Sequence, residues 1–214
     1  MKRRLLLIGA GGHCRSLIES IESTDRYEIA GVVGLANEVG MTILGYRVLG
    51  SDHDLQDLVS EIPLAMVAVG QIGSASLRIR FFEQLVAQGV ELATVVASTA
   101  IVSRHAEIGA GSVVMHGAII NAGARIGVNC IINSRALIEH DAVVGDHCHV
   151  STAAVLNGGA SLGRESFLGS GAITHQCVRI GDRCVVGAGV IVRSDVESNS
   201  VVRYLRAEDR AVKK

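Results

Sequence analysis

From residue 102 onwards, one residue in every six is aliphatic. The series runs Val102, Ile108, Val114, Ile120, Ile126, Ile132, Ile138, Val144, Val150, Leu156, Leu162, Leu168, Thr174, Ile180, Val186 and Val192, and only Thr174 interrupts it. Four residues after each of these, from Ala106 and Ser112 to Cys184 and Val190, stands a small or compact side chain. An α-helix repeats every 3.6 residues and a half-buried strand every two, so neither produces a step of six. A fixed period of six marks a hexapeptide β-helix, in which each short strand forms one face of a coil. The aliphatic residue points inward, the small one fits beside a corner, and stacked coils bury one continuous apolar column. With three faces to a coil, about five coils fit between Val102 and Ile191.

The first 95 residues obey a different rule. Arg4–Ile8 is an apolar strand, Gly9-Ala-Gly-Gly-His13 a tight turn, and Cys14–Glu22 has helical spacing through Leu17, Ile18 and Ile21. Ile29–Val33 reads as a second strand, Asp52–Ser60 as a short helix, and Ala65–Val69 as a third strand. Ser76–Gln88 is a helix stopped by Gly89. Strand–helix alternation implies a parallel sheet. The expected organisation is therefore a Rossmann-like α/β domain over 1–95 and a parallel β-helix domain with a C-terminal tail over 96–214. Val90–Val96 either adds a strand to the sheet or begins the linker.

Composition narrows the function. Hydrophobic residues make up 49% of the 214, charged residues 19%, and the net charge is −1, which leaves no basic field for nucleic acid. With no Trp, three Phe and three Tyr, the core must come from Ile, Val, Leu and Ala. The apolar run before Gly9 is shorter than a signal-peptide core, and no segment approaches the ~18 apolar residues of a membrane span. Five Cys without a C-x-x-C pair fit free thiols in a cytoplasmic protein. Cys130, Cys148 and Cys184 occupy the small-residue slot as core fillers, whereas Cys14 lies beside the glycine turn without an identifiable base. His105, His116, His147 and His175 are not at metal-ligand spacing, so no metal is expected.

The hexapeptide series resembles the left-handed β-helix acyltransferases. The domain order, with Gly9-Ala-Gly-Gly-His13, Gly70-Gln71, Asn133-Ser134, Ile138-Glu-His-Asp141 and His149-Val-Ser151, is similar to the bacterial sugar acetyltransferases that include PglD and NeuD. That resemblance implies a left-handed β-helix, a homotrimer with active sites between adjacent β-helices, and acetyl-CoA as co-substrate. It implies His140 as catalytic base with Asp141 as its acidic partner. It further implies His149, Gly158, Ser170 and Ala188 at acetyl-CoA, and Gly11, Gly12, His13 and Gly70 at the nucleotide of a nucleotide-sugar.

The residues themselves fit acetyl transfer, which needs a base for the acceptor's proton, a donor for the oxyanion and a groove for the pantetheine arm. His140 lies two residues beyond the inward Ile138, at an outward position flanked by Glu139 and Asp141, either of which can fix its tautomer. Gly158 reads either as an oxyanion donor or as a coil corner suited to positive φ, and Asn133 either as an acceptor contact or as a structural stacked Asn. The glycine turn lacks the third spaced glycine of a dinucleotide fingerprint, yet its N–H groups at a helix start can hold a phosphate.

Three departures from the family pattern stand out. The paired aspartates expected after the second strand are absent, Gly31-Val-Val-Gly-Leu35 standing there with Glu38 the nearest acid. Cys14-Arg15 replaces Gly-Lys. Arg203-Tyr-Leu-Arg206 replaces Gly-x-Pro-Ala-Lys, in a tail that also carries Arg210, Lys213 and Lys214. Three functions remain open: N-acetylation of a nucleotide-linked amino sugar in glycan biosynthesis, O-acetylation of a sugar such as sialic acid, or a trimeric scaffold without catalysis.

Overall fold

The computed structural model describes residues 2–204, so Arg206, Arg210, Lys213 and Lys214 lie outside the described residues. The chain opens with β1 (Arg3–Ile8), α1 (Gly12–Glu22) and β2 (Tyr27–Gly34), followed by β3 (Thr42–Ile43) and β4 (Tyr46–Ser51). Then come α2 (Leu55–Glu61), β5 (Leu64–Val67), α3 (Ser76–Ala87) and β6 (Glu91–Leu92). These strands form one six-stranded sheet in the order β3-β4-β2-β1-β5-β6, parallel except for β3. The β3–β4 hairpin was not legible as strands. Its turn is Leu44-Gly45, both with positive φ (49° and 90°), the backbone of a tight type I′ connection.

Val95 begins the second architecture, a left-handed parallel β-helix of two-residue strands. The stretch 90–96 thus supplies strands to both halves, β6 to the first sheet and Val95–Val96 to the β-helix. The first face of the prism stacks seven strands from Val95–Val96 to Val201–Val202. The second face stacks six from Ile101–Val102 to Ile191–Val192, and the third stacks five from Glu107–Ile108 to Arg179–Ile180. Pairing joins residues one full coil apart, as in Ile131↔His149 and Val155↔Ile173. The inward residues from Val114 to Val192 are buried and form one cluster with the small residues between them. Thr174, the break in the series, is fully buried, and its hydroxyl accepts the Asn157 N–H at 3.0 Å.

Every corner of the middle coils turns on one left-handed residue. Positive φ recurs at Gly111, Gly117, Gly123, Asn129, Arg135, Asp141, His147, Ala153, Gly159, Glu165, Gly171, Cys177, Arg183 and Gly189. The turning residue of the Asn157-Gly158-Gly159 corner is Gly159 (φ 65°), so Gly158 needs another reason to be glycine. At the third corner the coils approach too closely for side chains: a Cβ on Gly163 would lie 2.4 Å from the Gly181 backbone.

The three faces meet different surroundings. On the first face the outward residues Val95, Val113 and Ile131 join Met115 in a core shared with α1, which is sandwiched between the sheet and the β-helix. On the second face the outward column is Ile101, Ile119, Leu137, Val155, Ile173 and Ile191, aliphatic throughout, with Ile101 64%, Ile173 37% and Ile191 44% exposed. The third face points Glu107, Arg125, Val143, Ser161 and Arg179 outward.

The corner geometry makes opposite demands at two positions on different corners. Gly163→Ala should destabilise by about 1–3 kcal/mol through overpacking. Ala153→Gly, which relieves a non-glycine residue at φ 54°, should be neutral or stabilising by up to about 1 kcal/mol. Urea unfolding followed by circular dichroism reads both.

Candidate functional site

Residues of chemical interest gather on two edges of the prism and in the seam between the two halves. On the edge between the second and third faces, His140 is exposed and its Nδ1 lies 2.9 Å from Asp141 Oδ2. Glu139 takes a different partner: its Oε2 accepts the Asn121 amide N–H at 2.9 Å and the His140 backbone N–H at 3.3 Å. Asp141 is therefore the carboxylate that orients the ring. With that carboxylate ionised, Nδ1 carries the proton and Nε2 is left with its lone pair. The hydrogen bond to Asp141 raises the His140 pKa above its ordinary value, and the charges of Asp141 and Glu139 add to the effect.

Two glycines hold this pair flat across the corner. A Cβ on Gly123 would come within 2.4 Å of Asp141 Oδ1, and one on Gly158 within 2.6 Å of His140 Nε2. The imidazole thus lies against the backbone of Gly158, one coil above, which is why that position carries no side chain. Among the described residues the Gly158 N–H donates no hydrogen bond. It is a free donor on the residue that the imidazole lies against.

The edge between the first and second faces carries Asn133, Ser151, Ser170 and Ala188 in successive coils. Ser151 and Ser170 hydroxyls are 3.0 Å apart, while Ser170 and Ala188 are exposed. His149, on the adjacent first face, is buried. Its Nδ1 donates to the Gln71 carbonyl at 2.6 Å and its Nε2 accepts the Asn133 amide N–H at 3.0 Å. Burial is the main reason its pKa falls to about 4. Both ring nitrogens are occupied and the ring is neutral.

In the α/β half, a cavity of about 450 Å³ lies at the carboxyl ends of β1, β2 and β5, where open α/β sheets bind ligands. It is lined by Gly9, Gly11, Gly12, His13 and Gly70, by apolar Leu35, Leu77 and Phe81, and by Glu38, Asp52 and Arg80. Gly9 is required here, since at φ 117° its Cβ would strike Val69 at 2.7 Å. Asp52 pairs with Arg80 at 3.1 Å. The acid absent from the end of β2 is supplied from further along: Glu38 Oε2 accepts the Leu35 N–H at 2.8 Å and packs over Gly34. Sequence reading missed this because the carboxylate returns through a short 3₁₀ turn at Ala36–Glu38.

A second cavity, about 430 Å³, opens in the seam between Gly12, His13, Ser16, Gly70 and Gln71 on one side and Asn133 and His149 on the other. The two cavities share Gly12, His13 and Gly70. His13 is neutral, its pKa lowered to about 3 chiefly by burial, and its Nε2 is buried without a partner among the described residues. The structure therefore brings Gly12, His13 and Gly70 together with Asn133 and His149, keeps Gly11 in the adjoining cavity, and separately unites His140, Asp141 and Gly158. Cys14 is buried with its thiol pushed up to about 12, chiefly by that burial, so it is no nucleophile. Among the described residues no group of three His, Cys, Asp or Glu is placed to hold a metal ion, and no helix is long and apolar enough to cross a membrane.

Known proteins share this fold. The PglD N-terminal domain family matches residues 4–85, and the hexapeptide repeat of succinyl-transferase family matches residues 159–194. No curated protein matches by sequence. Among solved structures, a perosamine N-acetyltransferase from Caulobacter crescentus, in complex with CoA and GDP-perosamine, is 33% identical with a TM-score of 0.86. The match covers 92% of this chain and 91% of that one. The acetyltransferase domain of PglB from Neisseria gonorrhoeae, in complex with acetyl coenzyme A, is 30% identical with a TM-score of 0.83 over 94% and 96% of the two chains. WeeI from Acinetobacter baumannii, at 21% identity and a TM-score of 0.82 over 94% and 97%, shares the fold.

The His140–Asp141 pair can be read without any substrate. In an NMR titration His140 should protonate above the ~6.5 of a free imidazole, and Asp141→Asn should move the midpoint down. An unmoved midpoint in that variant would show that Asp141 does not set the ring's basicity.

Proposed function

The chain belongs to the PglD/NeuD family of sugar acetyltransferases, and from that premise we propose that it carries an acetyl group from acetyl-CoA to the amine of a nucleotide-linked amino sugar. The observation that carries this reading is the oriented His140–Asp141 pair lying against Gly158, whose N–H has no partner among the described residues. His140 Nε2 takes a proton from the acceptor amine as the nitrogen attacks the thioester carbonyl carbon. The Gly158 N–H stabilises the oxyanion that forms. Collapse breaks the carbon–sulfur bond, and the proton held on Nε2 passes to the departing CoA thiolate, leaving the amide and CoA.

The acceptor fits the two cavities. Helix α1 begins at Gly12 with no acid in its first turn and no side-chain cap, so its free N–H groups suit a diphosphate. A nucleoside fits between Leu35, Leu77 and Phe81 with Glu38 as acceptor for its N–H or hydroxyl groups. A sugar linked through the diphosphate passes His13 and Gly70 into the seam, where Asn133 and His149 line the wall. The relative crystallised with GDP-perosamine takes a ligand of this shape. Sugar O-acetylation drew on the missing acid after β2, and Glu38 now occupies that place. A catalytically idle scaffold has no use for the oriented imidazole. Five free thiols fit a cytoplasmic setting, and the product suits glycan assembly.

The same arrangement supports assembly into a homotrimer. The bare aliphatic column of the second face is flanked by the His140 edge on one side and by the edge bearing Asn133, Ser170 and Ala188 on the other. A copy packed on that face brings the base of one protomer to the acetyl-CoA edge of its neighbour, with His149, Ser170 and Ala188 beside the pantetheine arm. Leu137→Lys should then yield monomers in analytical ultracentrifugation, inactive although folded.

His140→Ala should lower kcat/KM for acetyl transfer by at least ~10²-fold with acetyl-CoA binding retained. Because the raised pKa of His140 postpones its neutral form, the rate should climb with pH through that pKa. Asp141→Asn should shift the climb to lower pH and lower the plateau. Release of CoA from acetyl-CoA and a panel of nucleotide-linked amino sugars measures all of this, and wild-type rates in His140→Ala would end the assignment.

A further inference from the structure

Arg78, on α3, is among the most buried side chains of the protein, 1% exposed, and no carboxylate among the described residues pairs with it. A buried guanidinium without a counter-ion is expensive, and a methionine or leucine would fill the same space without that penalty. The guanidinium reaches two other segments of chain. Nη1 donates to Gln71 Oε1 at 2.9 Å, and Nη2 donates to the side-chain oxygen of Asn129 at 3.1 Å and to its carbonyl. Gln71 follows β5, and Asn129 turns a corner of the β-helix at φ 51°.

Gln71 is held at both ends. Its Oε1 accepts from Arg78, and its Nε2 donates to the Glu165 carbonyl at 3.2 Å. With its side chain pinned, its own carbonyl is fixed where it accepts the His149 Nδ1–H. That bond settles the tautomer of His149, leaving Nε2 to accept from Asn133. The Asn133 Oδ1 in turn accepts the Ser134 N–H at 2.7 Å, so the amide cannot flip, and its second N–H is free for the cavity. One chain of hydrogen bonds thus runs from α3 through the loop after β5 into the β-helix. The positive charge of Arg78 also helps keep His13 and His149 neutral.

We propose that Arg78 is a positioning residue for the acceptor: through the Gln71 amide it fixes His149 in one tautomer and Asn133 in one orientation along the wall of the seam cavity. This rests on the seam cavity being the sugar end of the acceptor site. Arg78 touches no substrate. Its contribution is to make the two halves of the chain present a single polar surface.

The test is Arg78→Met, with Gln71→Leu as a second variant that removes the clamp from the other end and leaves every main-chain group in place. Long-range ¹H–¹⁵N correlation spectra of the imidazoles should show His149 as a single Nδ1–H tautomer in the wild type and as a mixture in both variants. The kcat/KM for the nucleotide-sugar should fall by roughly 10²-fold, the scale of a small misplacement of a bound reactant, with the protein still folded and trimeric. If Arg78→Met does not fold, Gln71→Leu alone decides. A single His149 tautomer and unchanged kcat/KM in the folded variants would overturn the proposal. The spectra need no substrate, so a wild type that transfers no acetyl group would sink the functional reading while the tautomer still judged Arg78.

Discussion

The stacking of coils one above another is the constraint on which the rest of the molecule depends. Each inward aliphatic residue rests on its counterpart in the next coil, as in Ile120↔Ile138 and Ile138↔Leu156, so the apolar column is continuous along the prism. Continuity requires every corner to turn in the same way, hence the left-handed residue at each sixth position. L-residues other than glycine, asparagine and aspartate adopt that conformation reluctantly. Arg135, His147, Ala153, Glu165, Cys177 and Arg183 do so here, and burial of the column must offset their strain. Asp141 is one of these corner residues. The twist that closes the coil is also the twist that turns its carboxylate onto His140.

The sequence made the β-helix legible because its signal is periodic and long, each coil repeating the evidence of the last. Counting two beyond Ile138 puts the His140 imidazole outside the column, but its expected role and the choice of Asp141 over Glu139 came from the family resemblance. The α/β half gave up its main strands and helices through apolar runs and helical spacing, but the β3–β4 hairpin stayed hidden. Its strands are short, and its Leu44-Gly45 turn lacks the Asn-Gly or Asp-Gly pair that announces such turns. The placement of Glu38, which the sequence showed only as the nearest acid, and the part played by Arg78 were hidden for another reason. Their roles come from contacts across space, a carboxylate folding back over Gly34 and a guanidinium reaching Asn129, and no local pattern encodes either. The aliphatic column on the second face was readable in principle, by stepping eighteen residues from Ile101 to Ile119 and Leu137.

Function arises from how differently the three faces are used. The first is roofed by α1 and by the loop carrying Gln71, which brings the glycine turn to Asn133 and His149. The second is left apolar and partly exposed between the edge bearing His140 and the edge bearing Ser170 and Ala188. The third is polar and faces water. A single prism therefore packs one surface against its own N-terminal half and leaves another aliphatic and partly exposed. His140 and the edge bearing Asn133, Ser170 and Ala188 stand at opposite margins of the second face.

The vertical register of the prism acts as a molecular ruler. His140 and Gly158 are neighbours only because one coil consumes eighteen residues, and Ser170 and Ala188 stand at heights fixed by the same count. A deletion of one or two residues anywhere below would spin every later side chain around the axis, turning buried valines outward and scattering the edge. Loss or gain of a whole coil would leave the packing sound and displace only the rungs above it. Length can therefore change in steps of eighteen without disturbing the packed column, but the height of His140 relative to Ser170 and Ala188 holds only while every coil between them is kept.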